Sequence, residues 1–136
     1  MVGRFFRTLK CFEYEGNYPT ISLKLTNCLG ETKGFDFKID TGYSGGIMVS
    51  REDYEFFACG ELPRSLWRSY STIIGIIPMK TARAFVQIDE LNTNFEVYVE
   101  TPVYGVGRRL IGREVINRLI LLLNGPEKRS CICKTA

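Results

Sequence analysis

The chain has 136 residues, 45% hydrophobic and 24% charged, which suffices for one core and leaves little for a second, so residues 1–136 read as a single domain. It contains no histidine, which excludes a Ser-His-Asp or Cys-His nucleophile, a histidine general base and the usual histidine-containing zinc sites. Eighteen Lys and Arg against 15 Asp and Glu leave a net charge of +3, too small for a dedicated nucleic-acid surface unless the positive residues cluster.

The local basic excess, Arg108 and Arg109 and then Lys128, Arg129 and Lys134, reads as solvated surface. No apolar run approaches the roughly 18 residues of a membrane-spanning helix, and Arg4, Arg7 and Lys10 interrupt the amino-terminal stretch where a signal-peptide core would lie. A soluble, cytoplasmic protein without a membrane partner is expected. The cysteines, Cys11, Cys28, Cys59, Cys131 and Cys133, are odd in number and form no tight framework, so they read as buried thiols of a reducing compartment. Cys131-Ile132-Cys133 could clip a metal or form a bridge, but alternation in a carboxy-terminal strand accounts equally well for two sulfurs on one face.

In chain order, residues 5–14 are rich in β-compatible residues, and residues 20–26 alternate Ile21, Leu23 and Leu25 with polar partners. With a turn at Gly16-Asn17-Tyr18-Pro19 these two strands are predicted to form a hairpin. After a break around Gly30, Phe35, Phe37 and Ile39 alternate with Asp36, Lys38 and Asp40, which places the three apolar side chains on one face. A short apolar stretch at Gly46-Ile47-Met48-Val49 follows. Ser50 then reads as the N-cap of a short helix reaching about Ala58, with an acid three residues on. Residues 61–68 read as a surface loop.

From Trp67 the chain is β again, and Ile73-Ile74-Gly75-Ile76-Ile77 reads either as an exposed hairpin tip that closes on something or as a buried hairpin with a bulge at Gly75. Two amphipathic strands come next. Ala82, Ala84, Val86 and Ile88 oppose Arg83, Phe85 and Gln87, and Phe95, Val97 and Val99 oppose Glu96, Tyr98 and Glu100. Leu110-Ile111-Gly112 reads as a short strand, residues 113–118 as a short helix, and residues 119–123 as an apolar strand ended by Asn124-Gly125-Pro126. The fold class is therefore all-β, with one or two short helices.

The chemistry is concentrated in two places. An apolar strand delivers Asp40-Thr41-Gly42, followed by Tyr43-Ser44-Gly45-Gly46, and about 70 residues downstream Leu110-Ile111-Gly112-Arg113 leads into a helix. Taken singly, Asp40 could be a plain turn acid and Gly112 merely a glycine that opens a helix. The pairing of the two motifs at this separation is the informative signal.

On these residues the chain resembles the retropepsin-like aspartic proteases, the single-domain family of the retroviral proteases and their cellular, archaeal and bacterial relatives. The resemblance implies a closed acid-protease β-barrel. It makes Asp40 the catalytic carboxylate, Thr41 the hydroxyl that ties two active-site loops together across a dimer, and Gly42 the residue that lets substrate backbone approach. Ile73, Ile74, Gly75, Ile76 and Ile77 would form a flap over apolar substrate side chains, Ile111, on the strand behind the loop, would also bind substrate, and Gly112 and Arg113 would have structural roles. The chemistry needs two carboxylates within about 3 Å that share one proton. One Asp-Thr-Gly per chain therefore implies a homodimer, no metal and no cofactor, a peptide or unfolded-protein substrate bound as an added strand, and activity favouring acid to mildly acid pH.

The chain departs from the retroviral pattern where an alanine and acids would follow the Asp-Thr-Gly. Tyr43, Ser44 and Gly45 stand there instead, so the acid that would pair with Arg113 is missing from its usual place. Two other functions compete with proteolysis: a catalytically weak or silent member of the family that binds peptides or joins two chains, and a small β-barrel that binds RNA or single-stranded DNA. The latter is thinly supported by Phe5-Phe6-Arg7 and Arg68-Ser69-Tyr70.

Overall fold

The computed structural model describes residues 5–135; Arg4, one of the amino-terminal basic residues considered above, lies outside them. The described residues form ten strands: β1 (Phe6–Glu13), β2 (Thr20–Thr26), β3 (Thr32–Ile39), β4 (Ile47–Met48), β5 (Ser69–Thr72), β6 (Gly75–Ile88), β7 (Thr93–Pro102), β8 (Leu110–Ile111), β9 (Ile120–Asn124) and β10 (Arg129–Thr135). Two short helices, α1 (Arg51–Tyr54) and α2 (Arg113–Ile116), interrupt them. The protein is thus predominantly β, as its alternating patterns require. Among the described residues no helix is long and apolar enough to cross a membrane.

The main sheet runs β2-β3-β8-β4-β7-β6-β5, and β6 also pairs back with β2 through Lys24 to Thr26. Its core is the apolar face anticipated from the alternation: Ile21, Leu23, Leu25, Phe35, Phe37, Ala82, Ala84, Val86, Phe95, Val97 and Val99 are all buried. At about 25 cal/mol per Å² of apolar surface, the Ile, Leu, Phe and Val side chains among them each contribute roughly 1.5–3 kcal/mol relative to exposure. Ser50 caps α1 as expected, its Oγ accepting from the Asp53 amide at 3.1 Å. The helix then tightens into 3-10 geometry over Glu55–Gly60.

The first two strands do not form the predicted hairpin. The turn exists, closed by reciprocal Glu15–Tyr18 backbone bonds at 3.1 and 3.0 Å, but β1 pairs with β10 and β2 pairs with β3 and β6. Pro19 sits where the hairpin ladder would continue, and it has no N–H to donate. Its carbonyl instead accepts from the Ile39 amide at 2.9 Å, on the strand that leads to Asp40. β1, β10 and β9 make a second, three-stranded sheet, which packs on the main one through Ile132, Phe12 and Leu121.

The cysteines also differ from expectation. Cys11 is bonded to Cys131 on the paired strands β1 and β10, and Cys28 is bonded to Cys59, leaving Cys133 as the one buried thiol. Disulfides persist mainly in oxidising compartments, so cysteine chemistry no longer argues for a reducing one. Cys131, Ile132 and Cys133 are all buried, because β10 is covered on both faces. Among the described residues no cluster of Cys, Asp and Glu is spaced to hold a metal ion.

Candidate active site

Asp40 follows β3 directly, and the chain returns through Gly45 and Gly46 into β4. Between these strands lies β8, parallel to β3 (Lys38 opposite Leu110, Ile39 opposite Ile111) and antiparallel to β4 (Ile47 opposite Ile111). The turn is therefore anchored from beneath by the second motif. The Asp40 amide donates to the Ile111 carbonyl at 3.0 Å, the Gly112 amide to Gly46 at 2.8 Å, the Arg113 amide to Tyr43 at 2.9 Å and the Glu114 amide to Gly45 at 3.1 Å. Gly112 is required by this close passage, since a Cβ there would lie 2.3 Å from the Gly45 carbonyl oxygen and 2.6 Å from that of Tyr43. The two motifs singled out in the sequence are thus one structural unit.

Within the turn, the Gly42 amide donates to Asp40 Oδ1 at 2.9 Å and the Tyr43 amide to the Asp40 carbonyl at 3.2 Å. Asp40 is half-buried, Thr41 and Gly42 are exposed, and Tyr43 points inward. A cavity of about 390 Å³ opens beside Asp40, lined by Gly42, Ser44, Met48, Ile77, Arg108 and Leu110 among others. Its far wall is the β5–β6 hairpin, which contributes Tyr70, Ser71, Thr72 and Ile77.

The sequence-predicted binding residues are divided between this cavity and its surroundings. Ile77 lines it. Ile73, Ile74, Gly75 and Ile76 form the hairpin tip beyond it, where Ile73 and Ile74 are almost fully exposed. The tip is a tight turn, with Thr72 opposite Gly75 and Gly75 at φ +123°, a conformation that favours glycine. Gly75 opens β6 without a bulge, so of the two readings of this segment the exposed tip is the one found. Ile111 is wholly buried in the core, and its neighbour Leu110 lines the cavity instead, because successive strand residues face opposite sides. The Arg113 side chain is exposed and forms no ion pair among the described residues; its backbone does the anchoring.

Behind the turn lies a buried polar cluster that sequence reasoning missed. Alternation alone places Glu100 on the polar face of β7, yet it is wholly buried. Its Oε1 accepts from the Tyr43 hydroxyl at 2.6 Å and from the Tyr70 hydroxyl, and its Oε2 accepts from Arg68 Nε at 3.2 Å. Arg68 also donates through Nη1 to Glu114 on α2 at 2.9 Å, and its guanidinium lies 4.8 Å from the Tyr98 ring centroid. A buried carboxylate is tolerated only with such compensation, and here one guanidinium and two phenols supply it. Burial, and next the Glu100 charge, pushes the Tyr43 hydroxyl far above its ordinary pKa. Burial and its hydrogen bond to Glu100 do the same for Tyr70. No local pattern marks Glu100, because its partners come from two distant segments, the Asp40 turn and residues 68–70.

Comparison with family models, with curated proteins and with solved structures finds no match for the chain. The functional reading therefore rests on the motifs and on this geometry.

Proposed function

We propose that the chain is an aspartic endopeptidase of the retropepsin type, built on a closed β-barrel and active as a homodimer in which each copy supplies one Asp40. The single observation that carries this reading is the seat of Asp40: a turn between β3 and β4, bonded from below by the Leu110-Ile111-Gly112 strand and open to a cavity walled by the β5–β6 hairpin. Conventional nucleophiles assisted by histidine are absent, and a carboxylate held rigidly at a cleft is the group suited to activating water.

In the proposed mechanism the two Asp40 carboxylates share one proton across the two-fold axis. The ionised one takes a proton from a bound water as that water attacks the scissile carbonyl; the protonated one hydrogen-bonds the carbonyl oxygen and stabilises the charge that develops there. The leaving amine then receives a proton from the dyad. Thr41 braces the two loops against each other. The substrate lies as an extended strand between the turn and the β5–β6 hairpin, with the isoleucines of the tip covering it.

Digestion of an unfolded protein from about pH 2 to about pH 7, read by mass spectrometry, tests the proposal. The natural chain should cleave at acid to mildly acid pH and the Asp40→Asn variant should not, while both sediment as dimers. Absence of cleavage by either, with the dimer intact, would identify a silent peptide-binding or dimerising module instead. A natural chain that stays monomeric would exclude the shared-dyad mechanism.

A further inference from the structure

The segment leading into β8 runs along the cavity wall in strict alternation. Val106, Arg108 and Leu110 line the cavity beside Asp40, whereas Gly107 and Ile111 are buried. Arg109 turns the other way and grips Asp53 with Nε at 2.8 Å and Nη2 at 3.0 Å. Two adjacent arginines therefore have opposite surroundings. The charge of Arg109 is matched by a carboxylate of this chain; Arg108 is exposed and among the described residues forms neither an ion pair nor a hydrogen bond.

Asp40 is the only carboxylate among the cavity's lining residues, and the Tyr70 hydroxyl is already committed to Glu100. The remainder of the wall sets the Ser44, Ser71 and Thr72 hydroxyls among apolar side chains such as Met48, Ile77 and Leu110, and apart from Arg108 carries no other charge. A guanidinium left unpaired there presents a rigid fork of N–H donors whose spacing matches a carboxylate, and such charge-assisted pairs are the strong ones once water is displaced.

We propose that Arg108 receives the side-chain carboxylate of a bound peptide, so that the site selects an aspartate or glutamate close to the bond it acts on. This rests on the reading of the cavity as a peptide site. In a two-fold dimer the second copy brings a second Arg108 to the mirrored position, so an acid is favoured on either side of that bond. Apolar neighbours of the acid meet Ile77 and Leu110.

The test uses short apolar peptides in which each position in turn carries Glu, Gln or Lys, labelled for fluorescence anisotropy and followed in parallel for cleavage. At about pH 6 glutamate is ionised. The full natural chain should bind the best Glu peptide about ten- to a hundredfold more tightly than its Gln counterpart. That preference should vanish in Arg108→Gln and pass to the Lys peptide in Arg108→Glu, with unchanged thermal melts. Equal binding of Glu and Gln peptides, a preference that survives in Arg108→Gln, or no binding of any peptide would each overturn the assignment. Charge-selective binding without cleavage would support Arg108 and count against the endopeptidase; cleavage without charge selectivity would do the reverse.

Discussion

Tyr43, three positions beyond Asp40, donates its hydroxyl at 2.6 Å to Glu100, a residue 57 positions further along the chain. The same carboxylate accepts from Tyr70 on β5 and from Arg68, which in turn holds Glu114 on α2. The Asp40 turn, the hairpin above the cavity and the helix after the second motif thus converge on one buried group. Movement of any of the three would leave a donor or a charge unpaired inside the protein, which resists such movement.

Replacing Glu100 by alanine leaves the Tyr43 and Tyr70 hydroxyls without their acceptor and Arg68 with Glu114 as its one remaining partner. Breaking a buried pair in this way costs about 3–5 kcal/mol, whereas Tyr43→Phe removes one of several donors and costs about 1 kcal/mol. Urea melts of the two variants should show that order. Equal losses would mean that Glu100 is not the common anchor.

Gly112→Ala places a methyl group against two backbone oxygens of the Asp40 turn, which cannot rotate away as a side chain would. Overpacking of this kind costs about 1–3 kcal/mol, and the turn must shift to relieve it. Peptide cleavage should therefore fall further than stability does. Gly125→Ala, which meets nothing within 4 Å, serves as the control and should alter neither.

Three phenols tie stability to alkaline pH. Tyr43, Tyr54 and Tyr70 are all raised above the ordinary value of 10.0, in each case chiefly by burial; a bond to Glu61 adds to the effect at Tyr54 and the charge of and bond to Glu100 at the other two. In the unfolded chain they ionise near that ordinary value, so above it the unfolded state binds fewer protons than the folded one. Their contribution is fully present below pH 10.0 and is lost as pH rises beyond it. Phenolate absorbance should show that, of seven tyrosines, these three ionise only as the fold is lost. Seven tyrosines titrating together in a folded protein would contradict their burial.

The disulfides make a chemical prediction. Alkylation without reduction should spare Cys11, Cys28, Cys59 and Cys131 and reach the buried Cys133 only on unfolding. Paired alanine replacement of Cys11 and Cys131, which are 120 positions apart, should destabilise the chain more than replacement of Cys28 and Cys59, 31 apart. The longer loop restricts the unfolded chain more, and losses of about 2–5 kcal/mol are usual for a native bridge. Five thiols reactive in the unreduced, unfolded protein would refute the pairing.

Much of this protein is legible in its residues. The alternation of Phe35, Phe37 and Ile39 with charged neighbours marks a strand ending at Asp40, Ser50 marks a helix start, and the paired glycine motifs mark the turn and the strand that supports it, because each is a property of a few adjacent residues. What could not be read locally is which segments meet. The departure of β1 to β10, the exchange of Ile111 for Leu110 at the cavity wall, the contrast between Arg108 and Arg109, the cysteine pairs and the burial of Glu100 all depend on contacts between distant positions. Period-two alternation places residues on two faces but carries no information about what covers either one. A glutamate at the end of an amphipathic strand looks solvated until an arginine and two tyrosines from elsewhere in the chain close over it.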